Sequence, residues 1–367
     1  MADAALEALR ELIRGAAAAR TPVEIRGGGT KAFYGGAVEG ATLSTTSFAG
    51  IVDYAPTELV VTARAGTPLA ELEGALRAER QMLAFEPPHF AAGATLGGAV
   101  ATGLAGPRRP YCGAVRDFVL GVDVIDGTGT SLSFGGRVMK NVAGFDVARL
   151  MTGALGTLGL ITSVSLKCLP LPKAEATLVF ACDAVEAIQR VNGWSGRPLP
   201  LSGTCHHDGR LWVRLSGAEP AVAAAMRTIG GEAVPTGAEP WRALRDHAHP
   251  FFTDAARRGL AVWRLSVRST APSRVFAGAQ LIEWGGALRW VVAEGGADAR
   301  AEAAALRDWA AANGGHATRF RAGSAGSDAA VPAFAPLDKT LLALHQRLKG
   351  VFDPQGILNR GRLSPAF

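Results

Sequence analysis

Apolar and polar positions fall in short blocks whose period changes along the chain. Residues 5–19 are Ala-rich with charges at helical spacing, which predicts an opening helix. Pro22-Val23-Glu24-Ile25-Arg26 predicts a short strand running directly into Gly27-Gly28-Gly29-Thr30-Lys31. Leu59 to Arg64 is β-branched and predicts a second strand. Thr67-Pro68 then reads as N-cap and first helical residue, with Leu69, Leu72 and Leu76 on one face. Val119 to Ile125 is an apolar strand, turned by Asp126-Gly127 into Ser131-Leu132-Ser133-Phe134, and Gly159 to Leu169 is another. Leu169-Pro170-Leu171-Pro172 reads as a linker. Beyond it, strands at Leu211–Leu215, Val262–Val267 and Leu288–Val292 are interleaved with helical stretches at 183–192, 218–228 and 297–312. That pattern predicts an α+β domain with an antiparallel sheet over 171–325, after a first domain over 1–170. A closing segment, 326–367, returns to the first domain. Gly323 to Asp328 reads as a flexible loop, and Leu337 to Lys349 as a last helix ending at Gly350.

Composition adjusts this picture little. Hydrophobic residues make up 48% and charged residues 19% of 367, ordinary globular usage. The net charge is +6, but Arg and Lys are scattered and Arg108-Arg109 is the nearest thing to a cluster. A nucleic-acid footprint is therefore not expected; a few of these charges would suit an anionic ligand. The cysteines Cys112, Cys168, Cys182 and Cys205 form no C-x-x-C, so neither an Fe–S cluster nor a zinc ribbon is signalled. The N-terminal stretch has no clean apolar signal core, and Pro87 to Pro107, though uncharged, is rich in Gly and Pro and does not read as a membrane span. A cytoplasmic location follows as the default.

The 46 glycines do change the picture. Gly27, Gly29 and Ala32 fit G-x-G-x-x-A, yet Phe33-Tyr34-Gly35-Gly36 breaks the helix that a nicotinamide Rossmann loop must open. A turn whose consecutive N–H groups cradle phosphate fits better, beside the plain glycine turn. Two further small-residue stretches follow. One is Gly93-Ala94-Thr95-Leu96-Gly97-Gly98, running into Gly103-Leu104-Ala105-Gly106. The other runs from Gly144-Phe145-Asp146 to Gly156-Thr157-Leu158-Gly159. Three such loops suit one extended ligand lying against backbone.

The order of Arg26–Lys31, the Gly93 loop, Tyr111-Cys112-Gly113-Ala114-Val115-Arg116-Asp117 and Lys140-Asn141-Val142-Ala143-Gly144-Phe145-Asp146 resembles the FAD-linked oxidases of the vanillyl-alcohol-oxidase superfamily. The tail Phe352-Asp353-Pro354-Gln355-Gly356-Ile357-Leu358-Asn359 resembles the closing motif of that superfamily. The Lys140–Leu150 segment and Glu283-Trp284-Gly285-Gly286-Ala287-Leu288-Arg289-Trp290 are similar to the FAD-binding E-subunit family of bacterial glycolate oxidases. The resemblance implies an α+β fold: a two-subdomain PCMH-type FAD-binding domain plus an α+β cap domain with an antiparallel sheet.

It also implies FAD, held by Arg26, Gly27, Gly28, Gly29, Thr30 and Lys31 at the pyrophosphate. Pro88, Gly93, Thr95, Gly97, Gly98, Gly103, Gly106 and Arg108 follow along the dinucleotide. Asn141, Val142, Gly144 and Asp146 belong to the third loop. Gly156, Gly159 and Ile161 lie toward the adenine side, and Asn359 approaches the flavin ring. Thr30 stands where some relatives carry a His joined to the flavin, so the FAD is expected to be non-covalent.

The resemblance implies oxidation of glycolate or a related small 2-hydroxy acid. The expected partners are a paralogous FAD/metal catalytic subunit and an Fe–S subunit of one complex, peripheral at the inner membrane. A base is required beside the hydroxyl; the candidates are His206, His207, His247 and His249, and none is assigned. The two-His-plus-acid metal set of related D-2-hydroxyacid dehydrogenases has no counterpart, since His247-Ala248-His249 is too tightly spaced and Glu283 precedes Trp284-Gly285 where a His is expected. Two classes stay open: a dehydrogenase, or a non-catalytic flavin-carrying subunit whose partner performs the chemistry. A cell-wall-type reductase using NADPH is a third.

Overall fold

In the computed structural model, residues 2–136, 145–235, 237–293, 299–324 and 331–367 are described. The chain forms two units. One comprises Met1–Ala105, Ala114–Leu171 and Pro336–Phe367; the other comprises Gly106–Gly113 and Pro172–Ala335. Residues 106–113, which the sequence pattern puts in the first domain, group with the second.

The first unit is built on a five-stranded antiparallel sheet in the order Ile51–Ala55, Val60–Arg64, Leu160–Lys167, Val119–Ile125, Ser131–Gly135. Asp126 turns the last hairpin, its carboxylate accepting the N–H groups of Thr128 and Thr130. A separate parallel pair joins Val23–Arg26 to Ala41–Ser44. The amphipathic helix Ala2–Ala19 buries Leu9 and Ile13 against Val23, Leu43, Ile125 and Leu160. Helix Leu69–Ala78 buries Leu69, Leu72 and Leu76 completely. Its cap differs from expectation. Pro68 is the N-cap, and the Thr67 hydroxyl instead exchanges hydrogen bonds with the backbone of Gly50. The supposed linker begins as a strand, with Leu169–Pro170 pairing with Gln81–Met82.

The closing helix, Lys339–Phe352, runs straight through Gly350. Beyond it the tail returns to the first strand: Val23 N–H donates to Ile357, and Asn359 N–H donates to Val23. A buried ion pair fastens the turn. Lys349 Nζ donates to Asp353 at 2.6 Å and to the carbonyls of Thr157 and Leu358, both at 2.8 Å. The Asp353 carboxylate accepts the N–H groups of Ile357 and Leu358. Every polar atom of the pair is engaged, as burial of a charge requires.

The second unit carries an eight-stranded, wholly antiparallel sheet. Its order is Glu232–Ala233, Ala174–Ala181, Arg210–Gly217, Leu201–His207, Gln280–Glu283, Leu288–Ala293, Ala261–Ser266, His316–Arg321. Helices Ala184–Ser195 and Glu219–Ile229 pack on one half through Val191, Trp194 and Val222. Helix Ala299–Ala312 packs on the other through Ala303, Leu306 and Ala310. Asp183, which the sequence pattern places as the first residue of the 183–192 helical stretch, is the N-cap of helix Ala184–Ser195 and accepts Glu186 N–H. The loop expected at Gly323 to Asp328 lies mostly outside the described residues. Among the described residues no helix is long and apolar enough to cross a membrane.

Candidate functional site

The first unit holds a cleft, partly open to solvent and walled by main chain from three loops. Its first wall is the turn Gly27–Lys31, which leaves the parallel strand pair at Arg26. Glycine is required there for loop-on-loop contact. A Cβ on Gly28 would sit 1.7 Å from the Gly93 carbonyl oxygen. A Cβ on Gly97, opposite, would sit 2.7 Å from that of Ala65. So Gly93 does not line the cleft; it supports Gly28 from behind.

Main-chain N–H groups supply the cleft's chemistry. Among the described residues, those of Gly28, Gly29 and Thr30 meet no hydrogen-bond acceptor. Three consecutive free donors on a turn form a concavity for an anion. Helix Leu96–Thr102 also begins at the cleft, but its first donors are already engaged. Leu96 N–H donates to Thr67, Gly97 N–H to Ala65, and Gly98 N–H to its own capping hydroxyl on Thr95. The turn, not the helix end, is where phosphate oxygens fit.

Two cations stand nearby. Lys31 is buried, its ammonium 5.5 Å from the ring centre of Phe90. Arg362 comes from the C-terminal tail and donates to the carbonyls of Gly36 and Lys31 at 3.2 and 3.3 Å. Burial lowers its guanidinium pKa, with Glu24 opposing and Arg26 adding to the shift. Arg26 itself is paired to Glu24 at 2.7 Å.

Asn359 lines the cleft, but both ends of its amide are committed. Oδ1 accepts Ile25 N–H and Nδ2 donates to Leu155 O, each at 2.7 Å. It ties strand, third loop and tail together. Gly156, Gly159 and Ile161 complete that wall.

Other expected positions lie elsewhere. Gly103 ends helix Leu96–Thr102 in a left-handed conformation, facing Gly153. Asp146 caps helix Val147–Met151 by accepting Arg149 N–H. Pro88 is buried off the cleft. Gly106 and Arg108 belong to the second unit, where the Gly106 carbonyl accepts Trp284 Nε1 and Arg108 pairs with Glu175 at 3.0 Å. Asn141, Val142 and Gly144 lie outside the described residues. Sequence reasoning missed Thr45, Ala65, Leu155 and Arg362 as lining residues. Only Arg362, three residues beyond Asn359, left a signal, and a lone arginine in a tail does not stand out.

The four histidines proposed as bases all belong to the second unit, and His206, His247 and His249 each have a structural task. His206 Nε2 sits 3.0 Å from the Cys182 carbonyl. His247 stacks on Phe252 with ring centres 3.7 Å apart, and burial holds its pKa well below the usual value. His249 caps helix Pro250–Arg257, Nδ1 accepting Phe251 N–H at 3.2 Å. Burial, with His207 5.2 Å away, pushes His249 down to about 4. His207 is lowered mainly by burial. The Glu283 carboxylate is buried and accepts Trp290 Nε1. Among the described residues no group of three His, Cys, Asp or Glu could hold a metal ion.

Comparison with known proteins identifies the family. A family described as "FAD binding domain" matches residues 4–135, and one described as "FAD linked oxidases, C-terminal domain" matches residues 335–363. The chain is 47% identical over 357 residues to glycolate oxidase subunit GlcE of Escherichia coli (strain K12), covering 97% of each chain. It is 36% identical over 155 residues to a D-lactate dehydrogenase of Anaerostipes hadrus, 41% of this chain and 32% of that one. It is 36% identical over 93 residues to glycolate oxidase subunit GlcD of Bacillus subtilis (strain 168), 25% of this chain and 20% of that one. Alkyldihydroxyacetonephosphate synthase has the same fold, with a TM-score of 0.64 at 15% identity, over 96% of this chain and 74% of that one.

Proposed function

This chain belongs to the FAD-linked oxidase family, and from that premise we propose that it is the FAD-binding subunit of a complex oxidising glycolate or a related 2-hydroxy acid. The reading rests on the near full-length similarity to a glycolate oxidase subunit. The observation that carries it is the run of unpaired N–H groups at Gly28, Gly29 and Thr30 inside the cleft.

The residues fit the cofactor. The turn donors would hold the pyrophosphate, with Lys31 and Arg362 offsetting its charge. Gly156 and Gly159 leave room along one wall, and Ile161 offers an apolar surface there, for the rest of the dinucleotide. FAD, when bound, supplies the acceptor for the two electrons of alcohol oxidation. Thr30 has no ring nitrogen with which to bond a flavin, and its hydroxyl instead faces Lys31 Nζ at 3.4 Å. The cofactor is therefore dissociable.

The commitments of His206, His247 and His249 favour a second reading, in which this chain carries flavin while a paralogous subunit performs the substrate chemistry. In either reading electrons leave through an Fe–S or quinone partner, and the complex sits peripherally at the inner membrane. The test is the visible spectrum of the purified chain, followed by anaerobic addition of glycolate or D-lactate. Flavin absorbance bleached in the isolated chain supports the dehydrogenase. Bleaching that needs the partner supports the carrier. Absence of flavin binding, even with added FAD, sinks both.

A further inference from the structure

The closing helix Lys339–Phe352 presents two faces with different fates. Lys349 and Phe352 are buried, and the Lys349–Asp353 pair fixes the helix's rotation. One residue before each of these buried positions stands an apolar side chain that is not buried. Leu341 is 45%, Leu344 49% and Val351 74% exposed, and Leu348 is half-buried. Their spacing is three, four and three residues, which is the narrow seam of a helix that packs against another helix. Because the buried pair holds the rotation, the helix cannot turn this seam inward.

The charge on the same helix selects the partner. Between Lys339 and Phe352 there is no Asp or Glu, while Lys339 and Arg347 are exposed. Arg347 borders the seam between Leu344 and Leu348. Antiparallel pairing of the helix with a second copy would bring Arg347 beside Arg347 with no acid between them, a like-charge contact that disfavours self-association. Four aliphatic side chains with no aromatic residue among them, in a seam rather than a broad face, also differ from a helix that lies in a lipid interface.

We propose that this seam is the docking surface for an amphipathic helix with acidic flanks, presented by another subunit of the same oxidase complex. The proposal rests on the subunit reading above. Leu341, Leu344 and Val351 enter the partner's apolar groove, and Arg347 meets a carboxylate at its rim. The apolar contacts carry the affinity, and the rim charge sets the salt dependence.

The test uses the full chain co-expressed with the other subunits of its complex. The double variant Leu344→Gln/Val351→Gln is expected to keep its FAD and its melting temperature while binding its partners about tenfold or more weakly. Arg347→Glu should weaken assembly and reverse its salt dependence, Arg347→Lys should retain both, and Gln346→Ala, off the seam, should change nothing. Undiminished assembly of the double variant overturns the proposal and leaves the subunit reading intact. If the wild-type chain assembles with no partner, both fail. A doubled mass of the wild-type chain alone, abolished by the double variant, would assign the seam to self-association and overturn the proposal. Flotation of the wild-type chain on anionic vesicles, lost in the double variant, would assign it to a membrane, with the same consequence.

Discussion

Gly28 shows how a single hydrogen atom can decide a site. With a Cβ 1.7 Å from the Gly93 carbonyl oxygen, any side chain forces the first two loops apart. Gly28→Ala is therefore expected to cost about 1–3 kcal/mol through overpacking. It should also lower FAD content, because the free donors of the turn move with the loop. Denaturant unfolding and the flavin-to-protein absorbance ratio measure the two effects; an unchanged ratio would detach the turn from the cofactor. His249 gives a residue-scale test in the second unit. Its pKa is about 4 in the folded chain, against about 6.5 unfolded. Above pH 6.5 the ring is neutral in both states. Below it the unfolded chain takes the proton first, so stability falls as pH drops from 6.5 toward 4. Protonation also removes the Nδ1 acceptor that caps Phe251 N–H. His249→Asn keeps a capping oxygen and should flatten part of this decline, the lowered His207, His247 and His316 contributing to the rest. Unfolding curves at pH 7 and 5 would show it, and an undiminished slope in the variant would count against the assignment.

At the scale of elements, the closing helix and tail are held by one charge pair. Lys349→Met leaves Asp353 buried and ionised without its partner, a change that typically costs about 3–5 kcal/mol. The expected outcome is a large fall in stability, together with proteolytic sensitivity at 353–367; a loss near 1 kcal/mol would mean that water replaces the ammonium. Much at this scale was legible in the sequence. Leu69, Leu72 and Leu76 announced a buried helix face, and Asp126-Gly127 announced its hairpin. The end of the last helix was not legible, because Gly350 argues for a stop and only the buried Lys349 and Phe352 on either side override it. The helix at Leu96 begins inside the Gly93–Gly98 loop, which reads from the sequence as lying along the dinucleotide. Its donors are satisfied by carbonyls of Ala65 and Thr67, some thirty residues away in sequence, and periodicity carries no information about such partners. The glycine loops could be read because close approach tolerates no other residue. Arg362 could not, because its role depends on where the tail folds.

At the scale of the whole molecule, the site is local to one of the chain's two units. Every lining residue of the cleft lies in 24–32, 45, 65, 95–102, 155–161 or 359–362, all within the first unit. Binding of FAD to the folded state alone must therefore stabilise that unit by mass action. At a free concentration one hundred times Kd the gain is about 2.7 kcal/mol. For a unit of this size the unfolding transition should rise by about 5–10 °C. Hydrogen exchange gives the location. The unpaired amides of Gly28, Gly29 and Thr30 should exchange fast without cofactor and slowly with it, whereas Leu96 and Gly97, already bonded to Thr67 and Ala65, should be protected in both states. FAD that raises the transition while those three amides stay fast would mean that the pyrophosphate sits elsewhere in the cleft. In that case buried Lys31 and half-buried Arg362, the cations beside the turn, become the residues to replace next.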